Sequence, residues 1–62
     1  MKTKTLKEFG KLTENAREKY LERIADKIHA NQSVADELLN YLYSIDETYA
    51  SEVQYSLNER AG

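Results

Sequence analysis

From Leu6 onward, apolar side chains return every three or four residues: Leu6, Phe9, Leu12, Ala16, Tyr20, Leu21, Ile24 and Ile28. That spacing matches the 3.6-residue turn of an α-helix and predicts one amphipathic helix over about 6–29. Thr5 and Glu8 have the Ser/Thr-x-x-Glu spacing of a capping box, in which the Thr hydroxyl accepts an otherwise orphaned N–H and the Glu reaches back to the cap. A second stripe follows at Val34, Leu38, Leu42, Ile45, Tyr49, Val53 and Leu57, and predicts a helix over about 34–59. Between the stripes, Ala30-Asn31-Gln32-Ser33 is the one polar break in the interior, and Ser33 with Asp36 three residues on gives a weaker cap signal. The turn therefore falls at about 30–33. Gly10 lies inside the first stripe, where it costs about 1 kcal/mol relative to Ala; the alternative is a first helix that breaks there and restarts near Thr13.

The expected fold is all-α, with residues 1–62 forming one antiparallel two-helix hairpin. The absence of Pro and the presence of only two Gly argue against the many tight turns of a small β domain. With no Cys, disulfides, thiolate metal sites and Cys nucleophiles are excluded together, so packing alone must stabilise the chain. Two helices of about 24 residues would be roughly 36 Å long, and their shared seam is thin for a hairpin standing alone. Leu39, Tyr43, Ala50 and Leu57 form a second apolar flank on the second helix, about 80 to 100° from the main stripe. The expected main use of that flank is a homodimer that packs four helices; the alternative is a patch that docks another protein, and the two can coexist.

Charge is divided along the chain. Residues 1–30 carry eight basic and five acidic side chains, and residues 31–62 carry one basic and six acidic. In a hairpin these halves attract one another. Lys7, Lys11, Lys19, Arg23 and Lys27 lie on a single four-residue row, beside a row of Glu14, Glu18, Glu22 and Asp26. Two such rails read first as a solvated face with three-residue ion pairs. Read as function, the basic row is a phosphate track for RNA or DNA, with the neighbouring carboxylates opposing it. The six carboxylates after the turn are too sparse to imitate a phosphate backbone.

Candidate chemistry is sparse. His29 sits at the predicted end of the first helix, where a protonated imidazole suits the C-terminal dipole. With Glu22 and Asp26 it falls short of the converging ligands a metal site needs, so neither metal nor cofactor is expected. Asp36/Glu37 and Asp46/Glu47 are adjacent pairs that splay by about 100° on a helix and make poor acid–base dyads. No Gly-rich phosphate loop, Ser-centred elbow or HExxH pattern occurs, and an enzyme is not expected. The longest apolar stretch, Leu38 to Tyr43, contains Asn40 and is far short of a bilayer span. The basic N-terminus leads into no apolar segment of the secretory kind, which makes the cytoplasm the expected compartment.

Five tyrosines against one Phe is the most unusual feature of the composition. Tyr20 and Tyr49 read as core, whereas Tyr41, Tyr43 and Tyr55 point away from the main stripe. A tyrosine ring buries well while its hydroxyl stays wet, which suits an interface anchor. The sequence thus points to a small non-catalytic protein that binds and modulates a larger protein as inhibitor, adaptor or accessory subunit, of the kind phages and plasmids carry. Its expected contacts are Leu39, Tyr41, Tyr43 and Tyr55. The alternative is a dimeric nucleic-acid-binding regulator that uses the basic row.

Overall fold

A computed structural model describes residues 3–61 of the chain, and every regular element among them is helical. There are four α-helices: α1 over Leu6–Gly10, α2 over Glu14–Ala30, α3 over Ala35–Ile45 and α4 over Glu47–Ala61. The all-α class stands, and the arrangement differs from a two-helix hairpin because each expected helix is divided.

The first division lies between Gly10 and Glu14. The Thr5–Glu8 capping box forms as the sequence implies: Thr5 Oγ1 accepts the Glu8 N–H at 3.2 Å, and Glu8 Oε1 accepts the Thr5 N–H at 3.1 Å. Thr13 then caps α2 by accepting the Ala16 N–H through its hydroxyl at 3.2 Å. The chain thus follows the alternative with a restart near Thr13. Gly10 contributes no left-handed turn, since no residue among those described has positive φ. The restart comes from Thr13, whose extended backbone and side-chain acceptor begin a new helix.

The second division overturns the continuous helix over 34–59. Asp46 adopts extended backbone (φ −166°, ψ 129°) and serves both neighbours. Its N–H donates to the Leu42 carbonyl at 2.9 Å, which closes α3, and its Oδ1 accepts the Thr48 N–H at 2.9 Å, which opens α4. The Ser33–Asp36 cap is not formed. Asn31 Oδ1 takes the Ser33 N–H and hydroxyl instead, at 3.1 and 2.7 Å, and a 3-10 turn over Gln32–Val34 leads into α3 without a side-chain cap.

Contacts between the elements fix their directions. Val34 and Leu38 lie beside Lys27 and Ala30, while Tyr41, further along α3, reaches Tyr20, so α3 runs back along α2. Arg17 meets Tyr49, Glu22 meets Ser56 and Asp26 meets Arg60, so α4 runs parallel to α2. The result is an up-down-up bundle of α2, α3 and α4, and with α1 the chain measures 32 × 21 × 19 Å. Ile24, Ile28, Leu42 and Val53 are its most enclosed large side chains, with Ala25 and Ala50 completely covered between them. Small residues at those two positions let the helix backbones approach.

The short α1 closes one end of the bundle through Phe9, 3% exposed, whose ring centroid lies 5.9 Å from that of Tyr20 and 5.0 Å from that of Tyr49. Edge and tilted contacts of this kind are favourable for aromatic quadrupoles. Leu6, read from the sequence as part of the core stripe, is 64% exposed, because α1 buries only Phe9.

Candidate interaction surface

The five tyrosines divide by neighbourhood. Tyr20 is buried and Tyr49 half-buried against Phe9, as their stripe positions imply. The Tyr20 hydroxyl accepts the Lys4 N–H at 3.0 Å, and the Lys4 ammonium lies 5.5 Å from the Tyr20 ring centroid, which ties the chain before α1 to α2. Arg17 covers the Tyr49 ring at 5.5 Å.

Tyr41 leaves the outer surface. It is half-buried, and its hydroxyl is enclosed without a hydrogen-bond partner. Burial is the chief cause that pushes its pKa well above the ordinary tyrosine value, with the nearby Tyr20 hydroxyl and Glu8 carboxylate adding to it. Tyr43 and Tyr55 are 49% and 67% exposed. Leu39, one turn before Tyr43, is half-buried and packs its inner side on the core. Of the four contact residues expected from sequence, Tyr43 and Leu39 share one face of α3, Tyr55 stands on the outside of α4, and Tyr41 is half-buried against the core with its hydroxyl turned inward.

All five members of the basic row are exposed, but they do not form one rail. The break before Glu14 leaves Lys7 in α1 and Lys11 in the connection, and Lys19, Arg23 and Lys27 on α2. The adjacent acidic row is partly engaged. Arg60 Nη2 pairs with Glu22 Oε2 at 2.8 Å and with Asp26 Oδ1 at 2.7 Å, while Ser56 Oγ donates to Glu22 Oε1 at 3.2 Å. The two carboxylates raise the Arg60 pKa. Among the described residues, then, the ion pairs between helices join the one base of the acidic half to two acids of the basic half, the reverse of the expected attraction. The lone Arg60 in an acidic segment was the available signal, and the helix direction needed to pair it was not.

His29 lies exposed in the last turn of α2, as expected. Among the described residues no group of three His, Asp or Glu side chains is arranged to hold a metal ion, and no helix is long and apolar enough to cross a membrane. Comparison with protein-family models, with characterised proteins and with solved structures gives no match to this chain.

What this surface can do chemically is offer aromatic area. Tyr43 and Tyr55 each combine a large apolar ring with a hydrogen-bonding tip at little entropic cost, the profile of an interface anchor. They stand on α3 and α4, which pack on each other, so both are carried by a scaffold whose inner faces are already closed.

Proposed function

We propose that this chain is a non-catalytic interaction protein that binds a larger protein and modulates it as inhibitor, adaptor or accessory subunit, working without a cofactor. The observation that carries the reading is the exposure of Tyr43 and Tyr55 on neighbouring helices whose core is complete without them. An exposed tyrosine offers a partner both ring area and a hydroxyl. Leu39 extends the contact on α3. The homodimer expected from sequence rests on an underfilled hairpin; α4 folded onto α2 supplies cover within one chain, and we rank self-association second among the uses of the same face.

The test is capture of partners from the native host's lysate with tagged wild type and with Tyr43→Ala/Tyr55→Ala, each with and without nuclease. The reading expects a protein retained by wild type after nuclease and lost by the double variant, with helical content unchanged by circular dichroism. Recovery of nucleic acid, with proteins lost on nuclease treatment, would replace it with the regulator that uses Lys19, Arg23 and Lys27.

A further inference from the structure

The surroundings of the two free tyrosines specify what kind of protein they fit, an inference that rests on the interaction reading above. On α4, Tyr55 lies between Glu52, three residues before it, and Glu59, four after, a spacing that sets all three on one helix face. On α3, Leu39 and Asp36 precede Tyr43 by four and seven residues, again one face. Glu37, Asp46 and Glu47 complete six carboxylates over α3, α4 and the residue that joins them, and every one is exposed. The only base on these helices is Arg60, already held by Glu22 and Asp26. The acidic field continues into the cleft between α4 and α2, about 190 Å³, where Glu18, Glu22 and Glu52 stand around Leu21 and Val53.

Aromatic area set in a field of one sign selects among occupants. A closed two-fold dimer through either of these faces would bring the same carboxylates against themselves, and like charges brought together across an interface are costly. Nucleic acid is repelled by it. A basic protein surface is steered towards it, and guanidinium groups also stack on tyrosine rings. We infer that the outer faces of α3 and α4 bind a Lys/Arg-rich segment of a partner protein, with Tyr43 and Tyr55 as stacking anchors and Asp36, Glu52 and Glu59 as the counter-charges.

The test is an amide NMR titration of the full chain with a synthetic peptide of alternating Arg and Leu, and with its counterpart in which every Arg is Glu. The basic peptide is expected to shift resonances around Tyr43 and Tyr55, to weaken about tenfold between about 50 and about 300 mM NaCl, and to weaken about tenfold in Tyr43→Ala/Tyr55→Ala. Asp36→Asn/Glu52→Gln/Glu59→Gln, which keeps the side-chain shapes, should lose most of the salt dependence together with the affinity. Equal binding of the acidic peptide, no binding of the basic one, or shifts confined to α2 would overturn the inference. Salt-sensitive self-association in a sedimentation series would also overturn it, by making a second copy's Lys19, Arg23 and Lys27 the occupant. The lysate capture separates the two claims. If the tyrosine variant releases the partner and the neutralised variant keeps it, the interaction reading stands and the basic partner falls; if neither releases it, both fall.

Discussion

Tyr41 holds its hydroxyl out of water close to the Tyr20 hydroxyl, and two consequences follow at the scale of one side chain. Because burial disfavours tyrosinate, the folded state holds the pKa above the unfolded value of 10.0. The neutral side chain's contribution is therefore fully present below about pH 10 and is lost as the pH rises beyond it. Alkaline unfolding followed by circular dichroism should show this loss, and Tyr41→Phe should remove its share. The same substitution deletes an unsatisfied polar atom, so a gain of about 1 kcal/mol at neutral pH is expected in urea denaturation. Periodicity placed Tyr41 beside Tyr43 in the surface set because a helical wheel gives direction without neighbours. The flank of α3 that carries Tyr41 is covered by Tyr20 and the chain around Lys4 and Glu8, contacts made across the fold. For Tyr43 and Tyr55 no such cover exists, and their exposure was legible from the wheel alone.

At the scale of elements, both divisions of the expected helices depend on short polar residues that the apolar rhythm conceals. Ile45, Tyr49 and Val53 keep a four-residue beat straight across Asp46, so the stripe reads as one helix while the Asp terminates it. Asp is among the best N-caps, and Asp46-Glu47-Thr48 was a start signal in plain sight. Asp46→Ala should cost about 1 kcal/mol through the lost cap, and it also removes the residue that keeps α3 and α4 apart. A rise in helical ellipticity with a fall in stability would show the two effects together. At the N-terminal end, Gly10 has helical backbone and open space where a Cβ would stand. Gly10→Ala should therefore stabilise by about 0.5–1 kcal/mol, which a thermal melt resolves. Phe9→Ala should do the opposite, with a loss of about 3 kcal/mol and of the near-ultraviolet tyrosine signal, since Phe9 is the contact by which α1 joins Tyr20 and Tyr49.

For the whole molecule, helical class and most core positions could be read from the two stripes, while the number of helices and their directions could not. The stripes name the faces that must be covered, and a hairpin with a second copy or a three-helix bundle with one chain can both cover them. Within one chain the cover comes from the division at Asp46 and from small, fully covered Ala25 and Ala50, whose value shows only once α4 lies on α2. The choice also decides function: in a four-helix dimer the second apolar flank is core, and in the single-chain bundle Tyr43 remains outside. Small-angle X-ray scattering over a concentration series tests this most directly. The bundle predicts a constant mass near 7.2 kDa and a radius of gyration close to the 10.9 Å of its Cα trace, enlarged only by side chains and the hydration layer. A mass of twice that value with a rod-like profile would contradict it, restoring the hairpin dimer and placing the proposed surface inside.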